Sequence, residues 1–123
     1  MMAGLFVFAG GFFGAIFRYL ASAPLNARAA ASGAALPWGT LGVNLSGAFL
    51  FGALESALPL SSALRPLLLT GFLGGYTTFS ALMLEIDDRW QNRRPAAVAY
   101  AALSFLGGPI AVLLGAAFVP RWI

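Results

Sequence analysis

The sequence predicts an all-α membrane protein with four transmembrane helices in one domain that covers residues 1–123. Composition is the first reason, because 60% of the residues are hydrophobic and only 9% are charged, whereas soluble domains are about 25% charged. So few charges cannot cover a surface that faces water. The second reason is spacing, because four apolar runs follow one another and each has roughly the 20 residues that a span needs. We therefore expect the chain to lie in a lipid bilayer, in the inner (plasma) membrane of a cell.

The four predicted spans are separated by short polar links and cover about 3–23, 38–58, 64–86 and 96–119. Residues 1–19 have no basic region ahead of the apolar run, and an Arg lies inside that run, so we expect a permanent first span and not a cleaved signal. Residues 24–37 and the polar stretch 87–95 are predicted to be loops. Tryptophans stand at the span ends, as an aromatic belt requires: Trp38, Trp90 and Trp122.

Several function classes are excluded by the residues that are missing. The absence of Cys excludes disulfides and thiolate metal sites, and the absence of His removes the commonest general base. The seven basic residues, all Arg, are scattered or stand at helix ends, which favours lipid headgroups and not nucleic acid as their partner. The arginines outside the spans divide unevenly between the two membrane sides: Arg28, Arg89, Arg93 and Arg94 against Arg65 and Arg121. This bias favours one orientation only weakly.

Polar residues inside spans are costly, so each is a candidate for function: Arg18, Thr40, Asn44, Ser46, Glu55, Thr70, Thr77, Thr78, Ser80, Glu85 and Ser104. Thr40 and Asn44 lie four apart, on one face of the second span. Asn44 has two interpretations: its amide joins two helices, or it donates to a passing ion. Because hydrogen-bond donors outnumber carboxylates at mid-membrane, the set favours an anion as the ligand.

The third span contains an unusual segment, GFLGGYTTFSALMLE, at residues 71–85. Two glycines followed by two β-branched threonines form a poor helix interior, which predicts a break near mid-membrane. Freed carbonyls at such a break are tolerated where they face protein, water or an ion, and they can bind a cation. The alternative is an intact, flexible helix. Phe79 follows directly, and its ring edge can face an anion, although a Phe in a span can also simply face lipid.

These segments resemble the CrcB/Fluc family of fluoride channels. The resemblance covers nearly the whole chain and rests on GGFFGAIFRY, GTLGVNLSGAFLFG and GFLGGYTTFS, in the family's order and spacing. The fourth span matches least well. The resemblance implies a fluoride-selective ion channel, not an enzyme, that exports cytoplasmic fluoride passively and so lowers fluoride toxicity. It also implies a homodimer of two antiparallel copies inserted with dual topology.

The resemblance also implies roles for individual residues. The expected fluoride path consists of Asn44, Phe79, Ser80, Thr40, Ser104 and Arg18. Glu85 is expected at the vestibule of the pore, and a structural sodium ion on the two-fold axis is expected to be held by the backbone carbonyls of Gly74 and Thr77. Two positions depart from the family pattern. Leu82 stands where a second Phe is common, and Gly108 stands where a hydroxyl is common.

Two other functions are considered. A small multidrug-type exporter is also a four-helix dimer, but it would need a Glu in the middle of the first span, where this chain has no acid. A non-conducting assembly subunit would gain nothing from a broken third span.

Overall fold

The computed structural model describes residues 1–59 and 61–119. Its elements are α1 (Met2–Ala31), α2 (Trp38–Ala57), a π-helix (Pro66–Leu73), α3 (Gly74–Tyr76), α4 (Phe79–Asn92) and α5 (Arg94–Phe118). These described residues contain no β-strand. The sequence predictions for Arg121 and Trp122 lie outside the described residues.

Three stretches of the described residues are long and apolar enough to cross a membrane: Met2–Ala31, Pro66–Asn92 and Arg94–Phe118. Many of their large apolar side chains lie on the surface of the subunit, and a surface of this kind is stable only against lipid or another protein. Helix α2 has 20 residues and is not among the three. Its 20 residues include the polar side chains of Asn44, Ser46 and Glu55, which lower its mean hydropathy.

Helix α1 is longer than the sequence predicted. Residues 24–31, expected as part of a loop, continue the helix through Pro24, so the prediction of a loop over 24–37 is wrong for its first half. Pro24 removes the hydrogen bond to the carbonyl four residues earlier and its ring crowds that carbonyl, but the helix continues beyond it. The Ala-rich sequence beyond it has high helix propensity. Asn26 also bonds to α2, which holds the added turns in place.

The predicted loop over 87–95 is also largely helical. Helix α4 continues to Asn92 and α5 begins at Arg94, so only Arg93 lies between them. Side chains one turn apart support the end of α4, because Gln91 Nε2 donates to Asp87 Oδ2 at 3.1 Å and Asn92 Nδ2 donates to the Asp88 carbonyl at 2.9 Å. The loop prediction for residues 87–95 rested on their polar side chains alone. It was wrong because polar side chains four residues apart can bond to each other and stabilise an exposed helix.

The third apolar stretch changes conformation along its length. It starts as a π-helix, a rare form that the sequence did not predict and that is frequent at functional sites. The backbone then leaves the helical region at Thr77 (φ −83°, ψ 158°) and Thr78 (φ −146°, ψ 118°). Helix α4 begins at the next residue, and Thr78 Oγ1 caps it by accepting the N–H of Ala81 at 3.3 Å. β-Branched residues favour such extended backbone.

Glycines bring the helices into close contact, as small residues do in membranes. A Cβ at Gly10 of α1 would collide with backbone atoms of the π-helix, and a Cβ at Gly52 of α2 or Gly115 of α5 would collide with the facing helix. Helix α1 therefore packs on the π-helix, and α2 packs on α5. These contacts set the rotation of each helix and so the direction of its polar residues.

Candidate ion-binding site

Asn44 joins α2 to Thr78, the second extended residue of the third stretch. Its Oδ1 accepts the N–H of Thr78 at 2.8 Å, and its Nδ2 donates to the Thr78 carbonyl at 3.1 Å. In a continuous helix the Thr78 N–H would donate to the Gly74 carbonyl, so the side chain of Asn44 replaces that partner. The structure therefore shows the first of the two expected roles of Asn44, which is to join two helices by hydrogen bonds. Donation to an ion stays a prediction, for which the second hydrogen of Nδ2 is the relevant donor.

An open cleft of about 250 Å³ lies against this junction. Its lining residues are Asn44, Leu45, Thr77, Thr78, Phe79, Leu82, Ser104, Phe105 and Gly108. Three of the predicted path residues, Asn44, Phe79 and Ser104, thus come together from three helices. Among the described residues, no carboxylate or guanidinium lines this cleft.

Ser104 has an unusual hydroxyl group. Its Oγ is buried, and it is the one buried side-chain oxygen or nitrogen among the described residues that lacks a hydrogen-bond partner. A buried polar group without a partner costs about 1–3 kcal/mol, and native structures rarely leave one in that state. Because Ser104 lines the cleft, a ligand there that accepts a hydrogen bond would remove this cost.

The two positions that depart from the family pattern also line this cleft. Leu82 is nearly buried and packs against Leu41 and Tyr100. Gly108 leaves open space where a side chain would stand. Ser80, a predicted path residue, is exposed and lies outside the lining, with its Oγ 3.4 Å from Thr78 Oγ1.

Thr40 and Glu85 lie apart from the cleft, in a polar network of their own. Asn26 Nδ2 donates a hydrogen bond to Thr40 Oγ1 at 2.9 Å, and the Thr40 hydroxyl donates its single hydrogen to Glu85 Oε1 at 2.8 Å. Tyr100 donates to the other oxygen, Glu85 Oε2, at 2.7 Å. Both oxygens of the carboxylate are therefore supplied with donors. The Thr40 hydroxyl is buried and has no proton left for an ion in the cleft.

Arg18, on α1, contacts the first of the extended residues. Its Nη1 donates to the Thr77 carbonyl at 3.4 Å, and it does not line the cleft. Gly74 and Thr77 line a second cleft of about 350 Å³, which also reaches Asn44. Within the described residues no group of three or more acidic side chains is placed to hold a metal ion.

Sequence reasoning missed three residues that the fold brings to these sites. Phe105 lines the cleft, Tyr100 bonds to Glu85, and Asn26 bonds to Thr40. An Asn or a Tyr in an apolar helix is a detectable signal, because each has polar atoms that require partners. Asn26 was hidden by the predicted loop. Phe105 gave no signal, since a Phe in a span is ordinary.

Comparison with known proteins decides the family. The profile of the family described as "CrcB-like protein, Camphor Resistance (CrcB)" matches residues 5–116. The chain belongs to this family. This confirms the resemblance seen in the three sequence segments.

Curated relatives align along most of this CrcB-family chain. It is 41% identical over 86% of both chains to "Fluoride-specific ion channel FluC" of Chelativorans sp. (strain BNC1). It is 43% identical to "Fluoride-specific ion channel FluC 1" of Mycolicibacterium paratuberculosis, over 94% of this chain and 88% of the relative. It is 44% identical to "Fluoride-specific ion channel FluC 1" of Geobacillus kaustophilus, over 94% of this chain and 96% of the relative. Together with its apolar helices, these matches make the chain a multi-pass membrane protein.

Proposed function

We propose that this protein is a fluoride-selective channel of the plasma membrane that lets cytoplasmic fluoride leave passively. The observation that carries the proposal is the buried Ser104 hydroxyl, which has no partner and lines the same cleft as Asn44 and Phe79. The names of the relatives, which specify fluoride, support it. No bond is made or broken in this function.

Selectivity follows from what the cleft offers to an ion. A small anion keeps its hydration shell unless donors replace it at close range. The Ser104 hydroxyl, the Asn44 amide and the Phe79 ring line the cleft, and a hydroxyl hydrogen, an amide hydrogen and a ring edge each carry partial positive charge. Fluoride gains more from close donors than chloride does, because it is smaller.

The driving force for export is the ion gradient together with the membrane potential. One elementary charge that crosses the membrane gains about 2.3 kcal/mol per 100 mV, and a negative interior pushes an anion outward. Fluoride that enters as neutral HF and dissociates inside would therefore leave without an energy source in the protein.

We further propose that the working unit is a homodimer of two antiparallel copies, with α2 as the fourth span. In one subunit the cleft is open, and Phe79 and Ser80 are exposed beside it. Polar groups that face lipid are costly, so a second copy laid over this face would enclose the path. The weak Arg bias between the two sides is compatible with insertion in both orientations.

A sodium ion at the extended residues fits the carbonyls that are present. Because the Thr78 N–H is taken by Asn44, the Gly74 carbonyl lacks its usual helical donor, and Gly74 is exposed with open space around it. The Thr77 carbonyl accepts one bond from Arg18 and has a second lone pair. Gly74 and Thr77 are therefore the residues that would hold the ion, and the ion would supply structural charge at the two-fold axis.

The test is release of fluoride from liposomes that contain the purified protein, followed with a fluoride electrode. We expect rapid release of fluoride and retention of chloride. If fluoride stays inside vesicles that hold correctly folded dimer, the proposed function is wrong.

A further inference from the structure

The cleft contains two aromatic rings, which come from different helices. Phe79 stands in the first turn of α4 and Phe105 stands on α5, and both line the cleft beside Ser104. The ring centroids are 6.4 Å apart and the ring planes meet at 67°. In this T-shaped arrangement the positive edge of one ring points at the negative face of the other. Each ring therefore orients the other.

Leu82 lines the cleft but has no ring, and its side chain is only 6% exposed because it also packs in the core with Leu41 and Tyr100. Phe105 lines the same cleft, has a ring and is 51% exposed in the subunit. Leu82 therefore contributes an aliphatic side chain to the cleft, and Phe105 on α5 contributes an aromatic ring.

Phe105 also follows Ser104 directly along α5. Consecutive residues of an α-helix point about 100° apart, and both of these line the same cleft. An anion that accepts a hydrogen bond from the unpartnered Ser104 hydroxyl would therefore lie beside the Phe105 ring. Edge hydrogens that are not directed at Phe79 are available to it.

We propose that Phe105 is a second aromatic residue of the fluoride path, which orients Phe79 and presents its own ring edge to the anion. This inference rests on the proposed fluoride conduction and adds a residue that belongs to no motif of the sequence. It replaces on α5 the ring that is missing at position 82.

The test compares three variants with the unchanged protein in the liposome efflux assay. Phe105→Leu removes the ring and keeps an apolar side chain, and we expect fluoride efflux to slow about three- to tenfold, the value of one aromatic contact. Phe105→Tyr keeps the ring and should retain more flux than Phe105→Leu. Phe118→Leu is the matched control, because Phe118 is also on α5 and also contacts another ring, Phe49 at 5.8 Å, but lies away from the cleft.

The outcomes separate a ring effect from a packing effect. Slow efflux in Phe105→Leu, recovery in Phe105→Tyr and unchanged efflux in Phe118→Leu would support the proposal. Equal efflux in Phe105→Leu and the unchanged protein would overturn it, as would equal losses in the Tyr and Leu variants or in the two Leu variants. Each protein is first checked as a single species by size exclusion, and Phe105→Met replaces Phe105→Leu if the latter does not fold. Failure of the unchanged protein to release fluoride would count against the proposed function itself.

Discussion

Replacing Asn44 by Asp places a negative charge on the wall of the cleft with almost no change of shape. One carboxylate oxygen can still accept the Thr78 N–H, but the other now faces the Thr78 carbonyl, where Nδ2 donates at 3.1 Å in the native protein. The variant therefore loses one hydrogen bond, which is worth about 0.5–1.5 kcal/mol. It also gains repulsion toward any anion in the cleft.

The size of that repulsion follows from the size of the cleft. A volume of 250 Å³ corresponds to a sphere about 8 Å across, so an anion inside it lies about 4–8 Å from the new charge. At an effective dielectric constant of about 20, two unit charges at these distances interact by about 4 to 2 kcal/mol. Fluoride occupancy should fall about 30- to 1,000-fold.

The assay is fluoride efflux from liposomes, with Asn44→Ala as the neutral control. Ala removes both hydrogen bonds to Thr78 but adds no charge, so it should conduct better than Asp if charge is the cause. Undiminished flux in Asn44→Asp would remove Asn44 from the ion path. Equal loss in the two variants would assign Asn44 to holding the extended backbone alone.

Three further predictions concern neighbouring residues. Ser104→Ala should slow fluoride efflux and raise the free energy of unfolding by about 1–3 kcal/mol, because it removes a buried hydroxyl that has no partner; unchanged flux would contradict the role of that hydroxyl. Leu82→Phe should preserve or raise flux while overpacking the core by about 1–3 kcal/mol in a melting experiment, and collapse of flux in a folded dimer would mean that this pore is built differently. Tyr100→Phe leaves Glu85 Oε2 without its donor and should cost about 1–3 kcal/mol of stability, a loss that Val98→Ala, on the exposed face of α5, should not reproduce.

Prediction from the sequence succeeded for the environment of the chain, because the scarcity of charge and the apolar helices place it in a membrane. The backbone is extended at Thr77 and Thr78, inside the Gly-Gly-Tyr-Thr-Thr segment, and a break of the third span at mid-membrane stays a prediction. Helix ends were less predictable. The stretches 24–31 and 87–92 read as loops but are helical, because Asn26 bonds to Thr40 and because side chains one turn apart support α4.

The sequence by itself determined the environment of this protein and the short list of polar residues from which a site could be made, since hydropathy and backbone propensity depend on neighbouring residues. Only the tertiary structure decided which members of that list meet. Thr40 donates its hydrogen bond to Glu85 and does not line the cleft, whereas Phe105 does. The physical reason is the rotation of each helix about its axis. That rotation is set by close backbone contacts at glycines such as Gly52 and Gly115, which lie far along the chain from the residues they orient.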